Sequence, residues 1–532
     1  MTVIDDIGYN MNNGQKSSDA ITVNHGTAKS ATINYKHDDL GRLSKVLRPS
    51  SLSTNGSVSY AYDLRSWMTG ITTSTYIEEL FYADGPGTKL YNGNISSIRW
   101  KDNSQSAKRG YKFSYDTANR LTSGAYGEGD ALSSNANRYT ETMTYDANGN
   151  ITSLTRYGKT TSGYGVMDNL SISYTGNQPT SVSESASDYN VSGSFEYKKA
   201  KGSGYIFNAN GSLVADKSRG IAYITYDLNN NPKQIYFTNG SVTKYVYSAS
   251  GQKLRAVHYT AKPNITRTWG VKPAELTMAQ ILLADSTDYL MGGSLTMKNG
   301  RIDKYLFKGG YAQASVASST TDNFAFYFYN QDHLGNIREV VDASGAVQQV
   351  TNYYPFGAPY ADTSAATNPD FQPYKYNGKE LDKMHGLNTY DYGARQHDPI
   401  LARWDRIDPL CEKYYDISPY AYCHNNPIFL IDSDGRDDYY TRDGTYLGTN
   451  KAKTDNIYIT DKGQYKKLGD SKNTVNIYSR VALNDTELDA EAYSKILKFR
   501  KCYTASLNLT FRFISLTMSS SSSMIALRTS GA

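Results

Sequence analysis

Short runs of alternating aromatic and polar residues, each broken by turn-forming residues, make up most of this chain. The stretch MTYDANGNITSL, residues 143–154, shows the form. Met143 and Tyr145 fall on one face of an extended strand, Asp146-Ala147-Asn148-Gly149-Asn150 interrupts the alternation, and Ile151 begins a new run. Related segments start at Asn34 (NYKHDDLGRLSKV), Ser59 (SYAYDLRSWMTGI), Phe113 (FSYDTANRLTSG), Ile224 (ITYDLNNNPKQI), Tyr245 (YVYSASGQKLRAV) and Tyr327 (YFYNQDHLGNIREV). Their common form is aromatic-x-Tyr-Asp-x-x-Gly-Asn/Arg-apolar, which predicts strand, turn and strand. The aspartate is placed to accept backbone amides of the turn. Asn-Gly supplies the positive φ that a tight hairpin needs, and Asn119 and Asn230 suit the same left-handed position where glycine is missing. A lone hairpin is not stable in water, so the repetition predicts a large shared sheet with tyrosines laddered on its faces. Tyrosine buries a large ring while its hydroxyl tolerates water.

Composition agrees with a mainly β chain. The 532 residues include 48 Tyr against 15 Phe, with 43 Gly and 14 Pro. A net charge of +5 over this length, without a dense basic cluster, gives no argument for nucleic acid. Cys411, Cys423 and Cys502 do not make a disulfide framework, and none of the seven histidines has a metal-ligand spacing. The acidic turns at 146–150 and 432–435 lack the ligand run of a calcium loop. No cofactor and no metal is therefore expected. The N-terminus has no secretory signal and no stretch reaches the length of a membrane span. The chain opens almost directly into repeat-like sequence. The expectation is a secreted or cell-surface protein exported by a route without such a signal, or a chain whose N-terminus lies upstream.

The repeat units resemble the YD repeats of the RHS/YD-repeat proteins. A longer and more ordered match resembles the RHS repeat-associated core domain: DHLGNIREVVD (332–342), YYPFG (353–357), YKYNGKELD (374–382), LNTYDYGARQHDPILARWDRIDP (387–409) and SPYAYCHNNPIFLIDSDG (418–435). The resemblance implies a long curled, shell-like sheet with the core domain as a plug. It divides the chain into a lead-in (1–30), YD/RHS-like repeats (31–326), the core domain (327–435) and a variable C-terminal α+β segment (436–532). It implies encapsulation and delivery of a C-terminal effector in competition between cells. The partners would be the chain's own C-terminal segment as cargo, an immunity protein and secretion machinery.

From the residues alone, Asp408 and the pair Asp432/Asp434 stand at the two ends of one compact stretch. If the chain folds back they meet, and two close carboxylates do not both ionise easily. That is the pairing used to activate water on a peptide bond. The plainer reading is that each aspartate caps a turn. The resemblance implies an aspartic self-cleaving site made of Asp408, Asp432 and Asp434. Arg403, where the family has an arginine before an aromatic (here Trp404), would support it, and the cut would fall between Gly435 and Arg436. The sequence departs from the family pattern at Asp432-Ser433 in place of Asp-Pro, at Arg436 in place of Leu, and at Ala402 in place of Gly. Cys411 with His424 offers a separate nucleophile pair.

After Gly435 the character changes. Residues 439–448 and 455–469 read as small hairpins, and 485–499 as a helix with Leu488, Ala492 and Ile496 on one face. The serine-rich tail at 513–532 continues neither pattern, and no toxin chemistry is evident; a disordered tail, a truncated effector and out-of-frame sequence are the readings, with truncation the expectation because the tail resembles nothing that precedes it. The alternative to the shell is a non-enzymatic surface protein that binds glycans on tyrosine faces or serves in adhesion. A β-propeller, which needs an even blade period, fits the irregular spacing least.

Overall fold

The computed structural model describes residues 1–435, apart from 12, 50–55, 319, 362–366 and 414–416, together with 439–440 and 446–448. The fold is mainly antiparallel β. A 14-stranded sheet runs in strict sequence order from Thr2–Tyr9 to Gln178–Glu184, and a 13-stranded sheet follows from Tyr205–Phe207 to Val347–Val350. The repeats thus build two large meanders in place of one continuous sheet. The break lies at residues 185–204. There Phe195 and Tyr197 turn into the core, and the Tyr197 amide donates to Asp168 Oδ1 at 2.6 Å, so the chain leaves the ladder.

The Tyr-Asp unit is a type I turn followed by a left-handed residue. The Gly149 amide donates to the Asp146 carbonyl at 3.1 Å, and the register slips by one residue at Thr144/Tyr145. Gly149 has φ 82°, and Asn119 and Asn230 hold the same position at 61° and 60°. The residue before the glycine is not in the left-handed region. A three-residue loop with a bulge needs one positive φ, whereas the two-residue turn suggested by Asn-Gly needs two.

The aspartate accepts amides as its position suggested: Asp116 Oδ1 takes those of Ala118 (2.9 Å) and Arg120 (3.0 Å). Its other oxygen explains the Asn/Arg after the glycine. Arg120 Nε donates to Asp116 Oδ2 at 2.6 Å, and Asn150 Nδ2 to Asp146 Oδ2 at 2.8 Å.

The tyrosine hydroxyl has a partner in the neighbouring unit, which the sequence did not reveal. Tyr62 donates to the Leu43 carbonyl at 2.9 Å and Tyr174 to that of Ile151 at 2.8 Å, while Tyr145 and Tyr226 reach the carbonyls of Leu121 and Leu213. Each acceptor is the first residue of a preceding return strand. Arginine adds a second tie, since Arg120 lies over the Tyr145 ring at 4.7 Å and donates to the Asp146 carbonyl at 3.0 Å. Phenylalanine supplies the ring but not this link.

The start of the first sheet meets the end of the second. Ile21, Val23, Ala31 and Ile33 pack with Phe324, Phe326 and Phe328, and Arg48 Nη1 donates to Asn330 Oδ1 at 2.8 Å. Residues 327–350 complete the second sheet. The described residues of 353–428 pack against both sheets: Phe356, Tyr376, Tyr390 and Trp404 share a core with Trp100, Tyr111 and Leu154 of the first, and Leu387 joins Ile224 and Ile235 of the second. A small four-stranded sheet, from Glu380–Asp382 to Arg403–Trp404, organises this segment. Tyr439–Tyr440 pairs antiparallel with Tyr446–Gly448 in the expected hairpin. The hairpin at 455–469 and the helix at 485–499 lie outside the described residues.

Candidate functional site

The strands Thr389–Asp391 and Gln396–Asp398 form a tight hairpin whose turn carries Arg395 at its end. Arg395 is 1% exposed, and its guanidinium lies 4.3 Å over the Trp404 ring. Trp404 is itself wedged against Tyr392 and Tyr422, with ring centroids 5.1 and 5.2 Å away. This packing removes the rotameric freedom of a long side chain before any ligand is considered.

Arg395 gathers the site. Nη2 lies 2.9 Å from Asp408 Oδ2 and 3.1 Å from Asp432 Oδ2, and Nε donates to the Gly435 carbonyl at 2.9 Å. The chain does fold back, and one nitrogen bridges the two carboxylates. Asp408 and Asp432 are 7% and 4% exposed. Asp408 is held by its own amide, which donates to the Pro419 carbonyl at 2.9 Å, and its Oδ1 accepts the Leu410 amide at 2.7 Å. Asp432 Oδ1 accepts the amides of Gly435 at 2.6 Å and Asp434 at 3.2 Å. Burial pushes the Asp432 carboxyl above its ordinary range; the charge of Asp408 adds to this, while Arg395 and the two amides oppose it.

Of the other residues singled out from sequence, Asp434 joins this centre through its amide on Asp432 Oδ1, while Arg403 sits apart from it. Asp434 is half-buried, and its carbonyl accepts the Ala394 amide at 3.0 Å. Arg403 faces the first sheet, stacked over Tyr420 at 4.6 Å and Tyr174 at 5.8 Å, with Nη2 3.3 Å from the Asn177 carbonyl. It joins the core segment to the repeats. Arg436 lies outside the described residues. Ala402 has φ 56°, the conformation that explains glycine at this position in the family pattern.

Sequence reasoning missed Arg395. The signal available was the tripeptide Gly393-Ala394-Arg395 at a strand end, with nothing local to link it to Asp408.

Asp408, Asp432 and Arg395 border a cavity of about 20 Å³, room for one water molecule. Cys411, Cys423 and His424 border it too. Burial, helped by Asp408 and Glu412, raises the Cys411 thiol, the opposite of what a thiolate nucleophile needs. Among the described residues no cluster of three His, Cys, Asp or Glu is placed to hold a metal.

The repeat supports this loop directly. Cys423, His424 and Asn425 are consecutive left-handed residues (φ 47°, 49° and 60°), and Asn425 Nδ2 donates to the Gly149 carbonyl at 2.8 Å. The strained loop is seated on the turn of the hairpin at 143–154.

No family model matches the chain. Among curated proteins it is 36% identical over 115 residues to salivary gland surface protein 1 of Aedes aegypti, covering 21% of this chain and 3% of that one. It is 30% identical over 128 residues to the tRNA3(Ser)-specific nuclease WapA of Bacillus spizizenii, covering 24% of this chain and 5% of that one. It is 34% identical over 97 residues to toxin subunit YenC2 of Yersinia entomophaga, covering 18% of this chain and 10% of that one. The chain thus spans a tenth or less of the length of these relatives. Among solved structures, TcdB2-TccC3 without its hypervariable C-terminal region aligns over 81% of this chain and 20% of its own, with TM-score 0.56 and 18% identity. The Tyr-Asp hairpins and the ordered core motifs resemble those of the RHS/YD-repeat proteins, and the chain shares the fold of TcdB2-TccC3.

Proposed function

We propose that this chain is a toxin-encapsulating RHS shell whose core cuts the chain between Gly435 and Arg436, so that the segment from Arg436 onward is released as cargo for delivery to another cell. The observation that carries the cleavage reading is Arg395, which holds two buried carboxylates and the Gly435 carbonyl at once. In this reading Asp408 takes a proton from a water molecule, which attacks the Gly435 carbonyl carbon. Charge developing on the carbonyl oxygen meets the N–H of Arg395 Nε, a donor already in place. Asp432, whose burial favours the protonated form, supplies a proton as the bond to the Arg436 nitrogen breaks. Arg395 is the electrostatic centre of this scheme, and Arg403 a structural tie.

Export from the producing cell, an immunity protein and secretion machinery belong to the same proposal. The glycan-binding alternative gains no support from the repeat tyrosines described above, whose hydroxyls are bonded to backbone.

The test is the intact mass of the purified protein beside Asp408→Asn. A wild-type fragment ending at Gly435, absent from the variant, supports the reading. One uncut chain in both refutes self-cleavage and leaves the core as a structural plug.

A further inference from the structure

A cavity of about 270 Å³ lies between the second sheet and residues 369–391, on another side of the core segment. Its wall is rich in lysine, and four of the lysines are matched by carboxylates. Lys253 lies 3.1 Å from Glu380 and 2.7 Å from Asp391. Lys298 lies 3.3 Å from Asp285, Lys304 lies 2.8 Å from Asp303, and Lys383 pairs with Asp370.

Lys375 differs. It borders the same cavity, is 3% exposed, and has no carboxylate within ion-pair distance among the described residues. Its Nζ reaches the Thr351 hydroxyl at a long 3.4 Å. Its backbone is fixed on both sides: its amide donates to the Lys379 carbonyl at 2.9 Å, and its carbonyl accepts the Ile337 amide at 3.1 Å. An ammonium has three protons to satisfy, and one long contact does not offset its desolvation. Burial pushes this amine well below its ordinary value, and the neighbouring Lys383 adds to the effect against a weaker pull from Asp370. Desolvation beside a second cation is how a lysine is made nucleophilic.

We propose that Lys375 is a carbonyl-reactive amine and that the cavity admits a small hydroxylated aldehyde or ketone to it. The Nζ lone pair attacks the carbonyl carbon to give a carbinolamine. Loss of one water, which carries away the carbonyl oxygen, leaves a C=N bond to Nζ, with no oxidant or reductant needed. Glu380, which accepts from Lys253 and Tyr289, and Asp382, which accepts from Tyr245 and the Met384 amide, line the same wall, and their remaining lone pairs are the acceptors for the ligand's hydroxyl groups. This site is separate from the carboxylate pair and does not depend on self-cleavage.

The test uses the full chain with glycolaldehyde and cyanoborohydride near neutral pH, followed by peptide mapping. Lys375 is expected to take the reduced adduct at least ~10-fold faster than the exposed Lys89 and Lys101, since an ordinary lysine is almost wholly protonated there. The preference should vanish in urea, and Lys375→Met should lose the adduct while Lys89 and Lys101 label as before. If Lys89 and Lys101 accumulate adduct while Lys375 stays unmodified in the folded wild-type chain, the proposal is overturned. That measurement stands even if the variant fails to fold.

Discussion

Glu141 is the most exacting test of the electrostatics built into this fold. It lies on the strand Glu141–Tyr145, is wholly buried, and neither carboxylate oxygen has a hydrogen-bond partner among the described residues. Arg156 and Asp168 face it from the next two strands, but Arg156 is already engaged by Asp168, with Nη2 2.8 Å from Oδ2. The Phe356 amide favours the ionised form without making a full hydrogen bond. Burial dominates and pushes the Glu141 carboxyl up to about 7. A carboxyl raised in the folded state contributes no penalty below its unfolded value near 4.5, and destabilises progressively as pH rises through 7. At ~1.4 kcal/mol per unit of pKa, the penalty approaches about 3 kcal/mol at pH ~8.5 and is about 1 kcal/mol at pH ~5.5. Glu141→Gln abolishes it while keeping the shape. Relative to wild type, the variant should gain about 2 kcal/mol on going from pH ~5.5 to pH ~8.5. The assay is denaturant or thermal unfolding of both proteins at the two pH values. Parallel pH profiles would refute the reasoning, because Glu141 would then already be solvated or paired in the folded state.

Three further outcomes follow from the geometry. Tyr145→Phe keeps the ring under Arg120 but removes the hydroxyl bond to Leu121, and should cost ~1 kcal/mol in unfolding measurements. Asn119→Ala and Asn119→Gly both lose the side-chain bonds to Asn92 and Asn94, so the difference between them isolates the backbone; alanine should be the less stable by ~1 kcal/mol because φ is 61°. Arg395→Lys should leave the chain uncut in an intact-mass measurement, whereas Arg403→Ala should lower stability through lost packing on Tyr174 and Tyr420 yet leave the cut in place.

What was legible in sequence was local. The Tyr-Asp-x-x-Gly-Asn/Arg unit places its turn, its amide acceptor and its left-handed residue within a few positions, so the chemistry of Asp146 and Asn119 can be read from neighbours alone. The split into two sheets was not legible, because it depends on Phe195 and Tyr197 finding a core formed by distant strands. The tyrosine hydroxyl was assigned to water when its partner is a carbonyl one hairpin away. Arg395 escaped for the same reason at longer range: its partners Asp408, Asp432 and Gly435 come from two later segments, and only the folded chain brings them to one guanidinium. The sequence pointed to Arg403, adjacent to an aromatic in the motif, and the fold turns that side chain to the opposite face.

The tyrosine tie has a consequence for how such a chain changes length. Each joint joins a hydroxyl of one unit to a main-chain oxygen of an earlier one, and the acceptor is the same whatever residue stands there: Leu43, Leu121, Ile151 and Leu213 all serve. A whole hairpin removed from the interior of a meander leaves its two former neighbours carrying matching halves of the same joint, whereas a deletion of an odd number of residues within a strand turns the side chains beyond it to the wrong face. The sheet can therefore grow or shrink in whole units with its interior seams unchanged, and its breadth becomes a quantity set by repeat number.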